Sequence, residues 1–380
     1  MAIGARRALW VIAIFLSLAV AWQIGWVRQQ TDLKTSLASL LDPADEIIQI
    51  GEGLYQGVIQ NGKETRLLST VSLGTASGYA GPIQTAVAVN ADGAIQKIAI
   101  LRQTETLVFF RKLRVDALLD TLKGKVCTDP FAIGQDIQAV TGATISLEGL
   151  TDSIRQACYQ AARQAQMPTP DIPFTKIRLG APEGVLILLY VVGFLAYLPS
   201  QKLSKPLRTL GLILGFVLLG CWLNRPLSLV QINTFLLGTW PLWRTHLYWY
   251  LLVGGILLPV LLTGRSVYCS HICPLAAVQE SLGALSGKRI VIPNKVNRWL
   301  HRGQRMLVWS AVVCALTLRN PSLITYEVTG TLFGLTGAFW QFGLLAVVLI
   351  TSLFVARPWC NVLCPIRAVV DYLRLGAGKK

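Results

Sequence analysis

The sequence predicts two fold classes in one chain: an α+β domain outside the membrane, and an all-α polytopic membrane domain. Together with an N-terminal anchor this makes about six transmembrane helices. Three features point there. The 380 residues are 53% hydrophobic and only 14% charged, too apolar for an ordinary soluble protein. A polar interval, residues 29–183, interrupts the apolar runs with normal charge density. A cysteine motif occurs twice, each time directly after a long apolar run.

A hydrocarbon core about 30 Å thick needs roughly 20 mostly apolar residues as a helix. Ala8 to Val27 meets this just after Arg6 and Arg7, with Trp22 and Trp26 at its far end. It lacks a small-x-small cleavage site, so residues 1–28 read as an uncleaved anchor. The polar interval that follows is about 150 residues, enough for one compact domain. There Thr85–Asn90 alternates, Asp92-Gly93 offers a turn and Ile95–Leu101 continues, which is a hairpin signal. Helical patterns flank it at 29–41 and 148–165.

Residues 184–380 read as a five-helix membrane domain. The expected passes are Gly184–Gln201, Thr209–Asn224, His246–Gly264, Met306–Leu318 extending towards Tyr326, and Gly330–Ala356. Pro226–Trp243 is also uncharged, but it holds Gln231, Asn233, Gly238 and two prolines, so it reads as an interfacial or re-entrant loop. With the N-terminus in the cytoplasm, the inner segments collect most of the Lys and Arg outside the polar domain. The short outer loops hold only Arg225, Arg244 and Arg319. This asymmetry follows the positive-inside rule and puts the polar domain outside and both cysteine motifs inside. The net charge of +16 therefore points to membrane topology, not to nucleic acid.

The repeat is Tyr268-Cys269-Ser270-His271-Ile272-Cys273-Pro274 and Trp359-Cys360-Asn361-Val362-Leu363-Cys364-Pro365. On a helix, cysteines at i and i+4 share a face. Two such pairs supply four thiolates, as a 4Fe-4S cluster requires. Zinc would accept the same set, and dithiol cycling is a third use. Arg265 and Arg357 precede the pairs, and nearby positive charge favours thiolate. His271 corresponds to Val362 in the second copy, so it reads as a spectator. His246 lies in an aromatic cluster, Trp240 to Tyr250, that a membrane-interface belt explains; a quinone or haem site is the alternative. His301 reads as part of a solvated inner loop. Cys127 and Cys158 could pair in an oxidising compartment, and Cys221 and Cys314 read as packing residues.

The sharpest motif outside the membrane half is Thr141-Gly142-Ala143-Thr144-Ile145-Ser146, just before a helical pattern. A hydroxyl at a helix N-terminus is well placed beside a phosphate, because free N–H groups there favour an anion. This motif resembles the flavinylation motif of FMN-binding domains of the RnfG/NqrC kind. Gly78-Tyr79-Ala80-Gly81-Pro82-Ile83 and Thr104-Glu105-Thr106 resemble two further segments of those domains. The resemblance implies FMN joined through its phosphate to Thr144 by a flavin transferase. Thr141, Gly142, Ala143, Gly78, Tyr79, Glu105 and Thr106 would line the site. Where those domains usually carry Asp before the motif, this chain has Gln138, with Asp136 nearby.

An outer FMN domain followed by two Cys-x3-Cys-Pro motifs resembles the NosR/NirI family of membrane flavoproteins. The sequence ends at Lys380, soon after Cys364, without the dense Cys-x2-Cys runs of long members, so the likeness is to the short, PceC-like form. It implies electron transfer across the bacterial inner membrane, between a quinone or cytoplasmic donor and a periplasmic reductase or carrier, in anaerobic respiration. Cys269, Cys273, Cys360 and Cys364 would be the inner ligands. A redox-sensing regulator and an assembly factor for a metalloenzyme are the rival readings.

Overall fold

The computed structural model describes residues 2–376, apart from 62–63, 79–80, 106–112, 114, 139–143, 171–178, 197–200, 245, 288–289, 322–325 and 336. The first helix, α1, runs Ala2–Leu41. It passes through the expected boundary at residue 28 without a break. Its Leu37, Leu40 and Leu41 pack on Val71, Ala86 and Ala88 of the following sheet. The N-terminal helix and the sheet domain are thus one continuous rod and its cap.

The sheet has five strands: β1 Glu46–Gly51, β2 Leu54–Asn61, β3 Glu64–Ser77, β4 Pro82–Val89 and β5 Ile95–Arg102. They pair antiparallel in chain order. The expected hairpin is β4–β5, with Val87 opposite Ile98. Strand alternation divides β4 between two faces. Ala86 and Ala88 meet the end of α1. Ile83, Val87 and Val89 meet Leu147, Leu150 and Ile154 of a helix on the other side. That helix, α3, spans Thr144–Gln164 and follows a short α2, Val115–Leu122. Gly74 permits its approach, since a Cβ there would overlap the Ser153 carbonyl oxygen. Cys127 and Cys158 are buried neighbours in this core and are free thiols.

The second half is helical. It comprises α4 Ala181–Leu195, α5 Gln201–Leu214 continued by a π-helical Gly215–Trp222, α6 Leu229–Leu236 and α7 Leu247–Thr263. Then come a π turn Tyr268–Ile272, α8 Pro274–Ser286, α9 Asn294–Leu318, α10 Thr329–Gly334, α11 Phe339–Ser352, α12 Pro358–Val362 and α13 Pro365–Gly376. Among the described residues, two helical stretches are long and apolar enough to cross a membrane, Ile12–Leu41 and Ser204–Trp222. Ala181–Leu195, Leu247–Thr263 and Phe339–Ser352 are apolar but shorter.

Two expected passes are corrected. Gly330–Ala356 is not one helix. Leu335 adopts φ 49°, and a new helix begins after Ala338, whose N–H is capped by the Gln341 side chain. The extension of Met306–Leu318 towards Tyr326 also fails, because Arg319 terminates α9 with φ 48°. Cys221 and Cys314, expected in packing, are exposed on the outer faces of their helices. An apolar run does not disclose which side of the helix meets the bundle. The segment 226–243 does hold a short buried helix, α6, with Ile232, Asn233 and Thr234 inside the bundle.

Candidate functional site: a flavin-side cleft and a thiol-bearing repeat

Three of the segments that resemble an FMN domain converge. Glu105 is buried, and Ser146 on the first turn of α3 donates its hydroxyl hydrogen bond to the Glu105 carboxylate. A Cβ on Gly78 would overlap Glu105 Oε1, and one on Gly149 would lie 2.7 Å from the Gly78 Cα. Gly78 is therefore pressed between the carboxylate and α3, a place without room for a side chain. Helix α3 begins at Thr144, so its first N–H groups lack intrahelical partners. This is a cradle of the kind an anionic ligand takes. Tyr79, Thr106, Thr141, Gly142 and Ala143 lie outside the described residues, and of Thr144 only the helical backbone is described. Ser146 closes the quoted motif but was given no role there; its place on the first turn of α3 was the available signal.

Asp136 does not stand in for the missing motif aspartate. Its carboxylate accepts hydrogen bonds from Lys125 Nζ at 3.0 Å and from the backbone N–H groups of Phe131 and Ala132. Burial acts to raise its pKa. The Lys125 and Ala132 hydrogen bonds and the Lys125 charge outweigh that and hold it below the usual carboxylate value.

A cleft of about 1510 Å³ opens beside Gly78, between the sheet domain and the helical half. Ser77, Gly81 and Arg102 line one side; Arg225, His246 and Trp249 line the other. His246 thus faces this cleft along with the aromatic cluster. Across the domain boundary, Arg102 donates to the Arg319 carbonyl at 2.9 Å and Asn320 Nδ2 donates to the Gln103 carbonyl at 3.2 Å.

The two cysteine motifs repeat in three dimensions. Cys273 N–H donates to the Tyr268 carbonyl at 2.9 Å, and Cys364 N–H donates to the Trp359 carbonyl at 2.8 Å. Both aromatics are buried. The pairs do not lie on one continuous helix, as the i, i+4 spacing suggested. Each short turn ends at its second cysteine, and the proline that follows opens a new helix, α8 or α13. Proline lacks an N–H to donate backwards but suits the first helical position.

Glycines bring the first turn against α5 and its π-helical extension. A Cβ on Gly211 would lie 2.7 Å from the His271 carbonyl oxygen, and one on Gly215 would overlap that of Ile272. Small residues four apart allow this backbone approach. His271 is buried here. Glutamines fix the second turn. Gln304 Nε2 donates to the carbonyls of Cys360 at 3.1 Å and Cys364 at 2.9 Å. Gln279 accepts from Trp359 N–H at 2.9 Å and reaches Cys360 Sγ at 3.6 Å. Sequence reasoning missed both glutamines. His301 Nδ1 sits 3.4 Å from Gln304 Oε1, so it belongs to this buttress and not to a merely solvated loop.

The four thiols act on one another. Burial, then the charge of Cys360, pushes Cys269 up to about 11. Burial with Cys360 and Cys269 pushes Cys273 up to about 12. Burial raises Cys360 against the pull of Arg357, and Cys364 rises through burial and all three other thiols. The expected pull towards thiolate is present from Arg357 at Cys269, Cys273 and Cys360, but burial outweighs it. Among the described residues, no three His, Cys, Asp or Glu side chains already enclose a metal position. The donor set itself, four half-buried free thiols from two equivalent turns, suits a cluster of iron and sulfide.

Residues 78–159 match the FMN-binding domain, and residues 245–293 with 336–380 match the 4Fe-4S binding domain. The second match covers both cysteine turns. The chain is 30% identical to protein NirI of Paracoccus denitrificans, over 63% of this chain and 37% of NirI. It is 26% identical to regulatory protein NosR of Pseudomonas aeruginosa, over 49% of this chain and 28% of NosR. It is 33% identical to the methylamine utilization ferredoxin-type protein MauN of Paracoccus denitrificans, over 34% of this chain and 45% of MauN. The matches therefore span well under half the length of NirI and NosR.

Proposed function

We propose that this chain, which carries matches to an FMN-binding and a 4Fe-4S binding domain and resembles NirI and NosR, is an electron-transfer flavoprotein of the NosR/NirI type that moves electrons across the bacterial inner membrane. The donor is a quinone or a cytoplasmic carrier, and the acceptor is a periplasmic reductase or carrier on the flavin side. Six passes, with residues 29–183 outside and the cysteine turns inside, complete this reading. The observation that carries it is the presence of both redox modules on one polypeptide, tied together by α1 and the Arg102–Arg319 contact.

Bound FMN supplies one- and two-electron chemistry, and a 4Fe-4S cluster supplies single electrons. The residues of this chain hold and orient. Thr144 is the proposed phosphate attachment point at the start of α3, with Gly78, Glu105 and Ser146 shaping the cradle. Cys269, Cys273, Cys360 and Cys364 are the proposed iron ligands, and Gln279 and Gln304 fix the second pair. A flavin transferase would install the covalent link.

The test is in-gel flavin fluorescence after SDS denaturation, wild type beside Thr144→Ala. Fluorescence that survives in the wild type and vanishes in the variant supports attachment at Thr144. No flavin in either, bound or released, would remove the flavoprotein reading. NosR carries the name of a regulatory protein, which favours a redox sensor as a second reading. Sustained electron flux, as opposed to a single turnover, separates the two.

A further inference from the structure

We infer that the helical half completes the flavin site: Thr234, Tyr248 and Trp249 form the wall against which the ring-bearing end of FMN rests. This rests on the reading that FMN is held at the Gly78–Glu105 end of the cleft.

The space suits such a ligand. A cleft of about 1510 Å³ exceeds the roughly 300–1,000 Å³ of an ordinary small-molecule site. Its far wall is not solvent but the helical half, with Thr234, Tyr248, Trp249 and Leu252. The two walls also approach each other. A Cβ on Gly81, in the loop after Gly78, would lie 3.5 Å from Thr234 Oγ1 on α6. A ligand seated beside Gly78 and extending away from α3 therefore meets α6 and α7.

The chemistry of the wall suits it too. Phe235 stacks on Trp240 with centroids 5.6 Å apart and on Trp249 at 6.5 Å, and Trp249 meets Tyr250 edge-on at 4.9 Å. This connected aromatic floor holds Trp249 in place, half-buried, with one side to the cleft. A fixed indole wall suits a planar aromatic ligand. Arg225 and Arg244 line the same cleft and suit a ring that gains negative charge on reduction.

Behind the wall, Tyr248 donates to the Arg225 carbonyl at 2.6 Å, and two residues on, Leu227 N–H donates to the Tyr268 hydroxyl oxygen at 2.9 Å. Tyr268 adjoins Cys269. Two hydrogen bonds joined by the backbone of residues 225–227 thus connect the cleft wall to the first cysteine turn, and a flavin ring against Tyr248 sits at one end of that connection.

The test uses the full chain purified in detergent. Indole and phenol rings in contact with a flavin quench its emission. Extracted flavin is quantified in every sample, so a chain without flavin is recognised as failure of the flavoprotein reading and not of this one. Native emission per flavin is then compared with emission after denaturation for wild type, Trp249→Leu, Tyr248→Phe and the control Trp299→Leu, an exposed residue of α9. The expected result is quenched wild-type emission, raised severalfold in Trp249→Leu and unchanged in Trp299→Leu. Access of iodide to the flavin should also increase in Trp249→Leu. The inference is overturned if wild-type emission is already as bright as after denaturation. It is equally overturned if Trp249→Leu and Tyr248→Phe keep their flavin with unchanged emission and unchanged iodide access, which would leave the wall to another ligand, such as a quinone headgroup.

Discussion

The guanidinium of Arg102, at the end of β5, donates to the carbonyl oxygen of Arg319, at the C-terminal end of α9. A cation at this position meets the negative end of the helix dipole. Burial, with the charge of Arg319 beside it, pulls Arg102 down to about 10, so the contact holds a cation against a real desolvation cost. With Gln103 and Asn320 alongside, it fixes the sheet domain on the helical half.

Arg102→Met keeps bulk but removes the donor and leaves the Arg319 carbonyl without it. A hydrogen bond from a charged group contributes about 1.5–3 kcal/mol. We expect a lower thermal midpoint for the detergent-purified chain. A midpoint equal to wild type would show that α1 and the Asn320–Gln103 contact carry the docking without Arg102.

Asp136 gives a pH prediction. Its folded pKa lies below its unfolded value, so its contribution is complete above the unfolded pKa, near 4. It is lost as pH falls through the folded pKa. Thermal melts of wild type and Asp136→Asn at neutral pH should differ, and the difference should shrink as the pH is taken below about 4. Flavin content should be equal in the two, because Asp136 is committed to Lys125 and the backbone of Phe131 and Ala132.

Gly215→Val places a branched side chain where even a Cβ would overlap the Ile272 carbonyl oxygen. Overpacking of this kind costs about 1–3 kcal/mol. The displaced turn is the one that carries Cys269 and Cys273. We expect reduced iron and acid-labile sulfide per chain, with flavin unaffected. The opposite pattern, flavin lost and iron retained, would refute the assignment of this turn.

Gln304→Leu leaves the carbonyls of Cys360 and Cys364 without their shared donor. The Cys364 carbonyl keeps the longer bond from the Ala368 N–H at 3.4 Å, and a buried group left unsatisfied costs about 1–3 kcal/mol. Iron content should fall and alkylation of the thiols should speed up, and Gln304→Glu should not restore the wild-type values, since a carboxylate cannot donate to a carbonyl.

Local signals foretold much of this molecule. The alternation of Thr85–Asn90 and the Asp92-Gly93 turn announced the β4–β5 hairpin because both are short-range effects. The cysteine repeat became two equivalent turns because the same residues fold the same way twice. What stayed hidden was non-local. Gln279 and Gln304 are ordinary helical residues until the second cysteine turn is placed beside them. Arg102 and Arg319 are 217 residues apart. The break at Leu335 lay inside an unbroken apolar run, where hydropathy reports composition and not backbone angle. The pull of Arg357 on the thiols was visible in the sequence, and the burial that outweighs it was not.

Passage of electrons between the thiol-bearing half and the flavin can be followed by stopped-flow flavin absorbance. Wild type and Cys364→Ser, matched for flavin content, would be reconstituted in liposomes and mixed anaerobically with a quinol. Bleaching of the flavin band is expected in the wild type and its loss in Cys364→Ser, with dithionite still reducing the flavin of both. Equal bleaching by quinol in both proteins would rule out this route.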